Sequence, residues 1–298
     1  MNKLCKVFND PFIVFRFILK RLSKKIKDDE TYIKWMFFFW QYRFPDLKQP
    51  KTYCEKLQWL KLHDRHDEYS KMVDKYEAKK YVANIIGEKY IIPTLGVWNE
   101  FDQIDFQKLP KEFVLKCTHD SGGLVVCRDK NSLDYQKSRC KINKCLNRNY
   151  YWECRETHYR NISPRIIAEK YMADDSGELS DYKIFCFSGK PRFIQVDYGR
   201  FSKHIRNIYS PEWELLELQN GYPRDEKVII ERPEKLDEML YIAETLSYGF
   251  PHLRVDLYYI QGNVYFGELT FFHSGGFKKF EPIEWENKIG EWLKLPGQ

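Results

Sequence analysis

The chain has 298 residues, 43% hydrophobic and 31% charged, enough apolar material for one large core or for two lobes sharing a cleft. Its 49 basic and 43 acidic side chains leave a net charge of +6. So mild an excess, with lysines interleaved among acids and no recognition module, argues against a dedicated nucleic-acid binder.

In chain order, residues 11–22 (PFIVFRFILKRL) form an apolar run broken by Arg16 and followed by Lys24, Lys25 and Lys27. It falls short of the roughly 20 residues that cross a bilayer. Two readings stay open for residues 11–27: a helix lying on a membrane surface, or one packed on the body of the protein. The aromatic run Trp35 to Trp40, after Tyr32, is expected to pack the first helices together. Residues 30–83 read as helical, with Leu57, Leu60, His63 and Asp64 at helical spacing and a charged helix from Asp74 to Ala83. Gly87, Pro93 and Gly96 mark a change to short extended segments.

From about residue 110 the pattern becomes strand, loop, strand. Phe113 to Lys116 is a predicted strand, His119 to Gly123 a glycine loop, and Leu124 to Cys127 the returning strand. Residues 132–150 predict a helix and Ile166 to Glu169 a buried strand. Tyr182 to Phe187 and Phe193 to Val196 form a hairpin around Ser188-Gly189-Lys190. Leu253 to Ile260 and Val264 to Leu269 form another around Gln261-Gly262-Asn263, and residues 281–294 a Trp-bearing helix. No repeat or low-complexity tract interrupts a mixed, largely antiparallel α+β plan led by helices.

Two places carry chemistry. Lys116 ends a strand beside Ser121-Gly122-Gly123, where glycines can turn backbone N–H groups toward a phosphate and the ammonium supplies charge; a plain hairpin turn is the competing reading. Arg254 and Asp256 share one face of a late strand, and alternation can aim Glu268 of the next strand at that face. Paired carboxylates there suit magnesium, a hard ion that takes oxygen ligands, and Arg254 can reach a transferring phosphate. A salt network on a solvated sheet is the alternative. The eight cysteines, at 5, 54, 117, 127, 140, 145, 154 and 186, follow no secretory leader with a cleavage site, so reduced thiols in a cytoplasm are expected. Cys140, Cys145 and Cys154 with His158 match no tight zinc knuckle. No Ser/His/Asp or Cys/His constellation stands out.

This order of lysine and glycine loop, acidic hinge and paired acidic strands resembles the ATP-grasp superfamily. More narrowly it resembles the branch named for teichuronopeptide biosynthesis (TupA-like), found among polysaccharide-assembly proteins. The resemblance covers about residues 45–280. Its marks are Lys51-Thr52 with Glu55 to Leu60, Asp74-Lys75, Ile91-Ile92-Pro93, Phe113 to Lys116, and His119 to Gly123. Asp181-Tyr182-Lys183, Arg254-Val255-Asp256 and Gly267-Glu268-Leu269-Thr270 complete the set.

The resemblance implies an ATP-grasp fold with two α+β subdomains at 109–170 and 171–298. A helical region at 1–60, at the membrane surface in one reading, and a helix and linker at 61–108 precede them. It implies ATP and Mg2+ as cofactors, with Lys75 and Lys116 on the nucleotide phosphates and Ser121, Gly122 and Gly123 as the flap over them. Glu169, Lys170 and Met172 fall at the hinge that holds adenine, and Asp181 is placed for the ribose. Lys183 and Arg200 would face the phosphates or the acceptor, Arg254 the transferring phosphate, and Asp256, Glu268 and Thr270 the metal. Thr270 stands where the superfamily commonly has asparagine, and Cys117 where many relatives have proline. His273 to Gly276 is a second glycine loop where the acceptor would enter, or simply a turn.

The implied activity is ADP-forming amide ligation through an acyl phosphate. The expected partners are a carboxylate-bearing glycan or sugar precursor and an amine or amino acid. The expected location is the cytoplasm, with the inner face of the membrane as its variant. A phosphotransferase acting on a glycan would use the same site. A glycosyltransferase would need an Asp-x-Asp motif, and Asp174-Asp175 lacks that spacing.

Overall fold

A computed structural model describes residues 10–173, 181–198 and 204–297. Arg200, Asp174 and Asp175 lie outside the described residues, as does Cys5. The chain leads with helices: α1 (Ile13–Leu22), α2 (Asp29–Gln41), α3 (Tyr53–His63), α4 (Tyr69–Val73) and α5 (Glu77–Ile86). Their starts follow from local chemistry. The Asp28 carboxylate caps α2 by accepting from the Thr31 N–H at 2.8 Å. Thr52 and Glu55 form a reciprocal capping box at the start of α3.

A four-stranded antiparallel sheet follows, in the order β1 (Thr94–Trp98), β4 (Ile166–Lys170), β2 (Phe113–Cys117), β3 (Leu124–Cys127). It takes its edge strand β1 from the segment 61–108 that the sequence reading treats as helix and linker, because Gly96 to Trp98 pair with Ile166 to Ala168. Helix α6 (Tyr135–Leu146), whose N-cap Asp134 accepts from Lys137 N–H, covers this sheet through Ile142 and Cys145. The short α7 (Tyr151–Cys154) follows it.

The second sheet is five-stranded and antiparallel, in the order β7 (Ile205–Tyr209), β6 (Lys190–Tyr198), β5 (Asp181–Phe187), β8 (His252–Ile260), β9 (Asn263–Thr270). Both expected hairpins are present. Ser188 and Gly189 have φ of 50° and 77°, and Gln261 and Gly262 have 49° and 75°. Positive φ at both central residues gives the twist that two-residue hairpins need. Helix α8 (Leu236–Ser247), absent from the sequence reading, packs Met239, Ile242, Ala243 and Leu246 into the main core with this sheet. Helix α9 (Ile283–Trp292) packs on α3, which crosses the expected boundary at residue 60. Their approach is so close that a Cβ at Gly290 would stand 2.2 Å from the Lys51 carbonyl oxygen.

Candidate active site

The two sheets and the junction of α4 with α5 enclose a cleft of about 580 Å³. One wall is the polar face of the second sheet. In register, Asp256 stands opposite Glu268 on β9 and opposite Lys183 on β5, and Asp181 stands opposite Asp197 on β6. Period-two alternation therefore gathers the charged residues of four strands on one face, while Ile184, Val255 and Leu257 point into the core.

Arg254 organises that wall. Its Nε and Nη2 donate to the two oxygens of Asp256 at 2.6 and 2.8 Å, and Nη2 also donates to Glu268 Oε1 at 2.8 Å. Its Nη1 donates to His273 Nδ1 at 2.9 Å, which leaves the His273 proton on Nε2, directed at Asn220 Oδ1. Burial and the nearby Arg254 hold His273 well below the usual imidazole value, so it stays neutral. Lys183 donates to Asp256 at 2.9 Å and to Asp181. Burial would lower the Lys183 ammonium, but Asp181 and Asp256 outweigh it and its pKa is raised. Burial pushes Asp256 up, to about 6, against the pull of Arg254 and Lys183. Glu268 is held below its ordinary value, since Arg254, Lys75 and Lys183 overcome its desolvation. Its side chain remains 46% exposed toward the cleft, unlike that of Asp256 at 2%.

The facing wall carries Lys75, Lys116 and the loop Asp120 to Gly123. Lys75 sits between α4 and α5, where its N–H donates to the Thr118 carbonyl at 3.0 Å and its Nζ to the Asp120 carbonyl at 2.6 Å. Arg165 fastens this junction through Asp74 and Glu77, both at 3.1 Å. Lys116 pairs with Glu169 at 2.6 Å, and Lys79 pairs with the other Glu169 oxygen at 2.5 Å. Burial alone would raise Glu169; the two lysines outweigh it and bring it down to about 2. The glycine loop is gripped from behind, because Arg148 Nη2 donates to the buried Asp120 carboxylate at 2.6 Å.

Of the residues expected from sequence, Lys75, Lys116, Ser121, Gly122, Gly123, Asp181, Lys183, Arg254, Asp256 and Glu268 line this one cleft. Glu169 lies buried behind Lys116, Lys170 is exposed at the end of β4, and Met172 follows it, half-buried. Thr270 Oγ1 donates to Glu268 Oε1 at 3.3 Å. The sequence reading missed Asp197, His204, Arg206 and Tyr222, which extend the cleft along β6 and β7. It also missed Lys79, which reaches Glu169 from α5 behind the cleft.

The chain matches the profile of TupA-like ATP-grasp proteins over residues 55–294. It belongs to the TupA-like ATP-grasp family. Membership gives it the ATP-grasp fold. Comparison with curated proteins returns no match. Among solved structures, D-alanine–D-alanine ligase from Helicobacter pylori is 14% identical with a TM-score of 0.45, covering 82% of this chain and 69% of that one. D-alanine–D-alanine ligase from Bacillus anthracis, complexed with ATP, is 19% identical with a TM-score of 0.38, covering 67% of this chain. The present chain spans 55% of that structure's length. A RimK domain ATP-grasp protein from Sphaerobacter thermophilus is 9% identical with a TM-score of 0.43, covering 77% and 70%.

The donor set of this TupA-like ATP-grasp chain fits a nucleotide with magnesium. Lys75, Lys116, Lys183 and Arg254 face one volume and match a polyphosphate. Among the described residues no three His, Cys, Asp or Glu side chains form a self-sufficient metal cage. Two carboxylates alone suit magnesium, which completes its octahedron with phosphate and water oxygens.

Proposed function

We propose that the chain is an ATP- and magnesium-dependent ligase that joins a carboxylate to an amine through an acyl phosphate. We further propose that the carboxylate belongs to a uronic acid of a surface polysaccharide precursor and that the amine is an amino acid or related amine. The observation that supports the ligase reading is the meeting of the Lys75, Lys116 and glycine-loop wall with the Arg254, Asp256 and Glu268 wall around one cleft. The glycan is supported by family membership.

A carboxylate is a poor electrophile. Attack of one of its oxygens on the γ-phosphorus releases ADP and leaves an acyl phosphate. The amine nitrogen then attacks the carbonyl carbon, phosphate departs and the amine loses a proton. Such chemistry calls for positioning and charge neutralisation rather than a protein nucleophile. Lys75 and Lys116 hold the nucleotide phosphates under the Ser121 to Gly123 loop, with Glu169 fixing the direction of Lys116. Lys170 and Met172 meet the adenine in the hinge between subdomains 109–170 and 171–298, and Asp181 meets the ribose. Arg254 neutralises the phosphoryl group in transit, and Lys183 faces the phosphates or the acceptor; the same role for Arg200 falls outside the described residues. Magnesium at Asp256 and Glu268, with Thr270 beside them, would draw charge from the phosphate oxygens.

The test is ATP turnover screened across uronic acids and amino acids with γ-labelled ATP. Release of ADP with free labelled phosphate, dependent on both an acid and an amine, is the expected result. Label retained on the sugar would instead mean phosphotransfer to a hydroxyl and would overturn the ligase reading.

A further inference from the structure

Helix α1 buries an arginine and exposes most of its apolar side chains. Its single interior charge, Arg16, is buried: Nη1 donates to the Phe39 carbonyl at 2.6 Å, Nη2 pairs with Asp10, and the guanidinium lies 4.2 Å over the Trp40 ring. Leu19 shares that buried face, but most of the other large apolar side chains go the other way. Phe15, Phe17, Ile18 and Leu22 are all exposed, Phe17 at 63%. Trp35 and Phe44, in contact at 5.4 Å between ring centroids, extend the same aromatic cluster and are exposed as well. Single exposed apolar residues are ordinary, but a contiguous apolar patch beside a buried arginine marks an interaction surface.

Charge identifies the occupant. Lys20, Arg21, Lys24, Lys25 and Lys27 continue from the apolar stretch and are exposed. Lys20 reaches Glu153 at 3.3 Å, whereas the other four have no acidic partner among the described residues. A second copy of the chain would set these cations against themselves across a two-fold axis. An anionic lipid surface satisfies both halves, taking the aromatic and aliphatic side chains at the acyl boundary and the ammonium groups at the phosphates. No helix among the described residues is long and apolar enough to cross a membrane, so the element lies on the surface.

We infer that the hairpin of α1 and α2 docks the protein on an anionic membrane. This stands apart from the ligase reading and is tested without activity. The full chain is sedimented with phosphatidylcholine vesicles, with and without phosphatidylglycerol. Binding to the anionic vesicles alone, weakened by salt, is the expected result. Lys24→Gln with Lys25→Gln should reduce the partition coefficient about thirtyfold, and Phe17→Ser with Ile18→Ser should reduce it at least as much. All four side chains are exposed, and far-UV circular dichroism checks that the variants stay folded. Failure to sediment with either vesicle, or unchanged binding by the serine variant, overturns the inference. So does a dimer in light scattering that the serine variant dissolves, since a second copy would then be the occupant.

Discussion

Asp256 accepts from Arg254 twice and from Lys183 once, while Glu268 accepts from Arg254 and opens to the cleft. Either carboxylate can be neutralised and still leave Arg254 with the other as its partner, so the fold should survive. Asp256→Asn and Glu268→Gln should each lower ADP release by at least about a hundredfold, with unchanged circular dichroism; normal turnover by either would contradict the metal assignment. Glu169 makes a different prediction. Its pKa is depressed from 4.5 to about 2, because Lys116 and Lys79 outweigh its burial. A carboxylate depressed in the native state stabilises fully above its unfolded pKa and loses that contribution as pH falls toward the native one. Stability should therefore fall as pH drops from about 4.5 toward 2. Glu169→Gln should be less stable at neutral pH by a few kcal/mol and should show a shallower slope in that window in urea titrations. An identical slope would show that the triad contributes nothing.

At the scale of elements, one contact in the glycine loop and one in the docking of α9 on α3 are open to test by single substitutions. Arg148 holds the loop through Asp120, so Arg148→Ala should raise the KM for ATP several-fold while leaving the acceptor KM unchanged; equal changes in both would point to a general loss of structure. At Gly290 even a methyl group would collide with the Lys51 carbonyl oxygen. Gly290→Ala should destabilise by about 2–4 kcal/mol in denaturant unfolding. The elements legible in sequence are those whose local chemistry is self-contained. Ser188-Gly189 and Gln261-Gly262 punctuate hairpins, and alternation places Arg254, Asp256 and Glu268 together. Helix α8 was legible too, with Leu236, Met239, Ile242, Ala243 and Leu246 at helical spacing, and went unread. Strands β1 and β7 are five residues each, and β1 is broken by a register shift at Gly96, so their pairing depends on distant partners. Arg206 and Tyr222 reach the cleft through β7 and the segment after it, and nothing local in the sequence marks them. The Lys79–Glu169–Lys116 triad likewise exists only once α5 lies beside the first sheet.

At the scale of the whole molecule, a helical region and two sheets bring together side chains that are about 180 positions apart in sequence, such as Lys75 and Asp256. The two walls are fastened differently. The carboxylate wall is rigid, knitted by strand register and by Arg254, whereas the lysine wall hangs on Arg165, Glu169 and Arg148. Cations and carboxylates both line the cleft, so a triphosphate with its metal has partners on each wall. The most direct measurement is a crystal structure of the full chain with a non-hydrolysable ATP analogue and magnesium. The expected result is one triphosphate lying between Lys75 and Lys116 on one side and Asp256 and Glu268, through the metal, on the other. A nucleotide bound elsewhere, or phosphates that meet only one of the two walls, would contradict it.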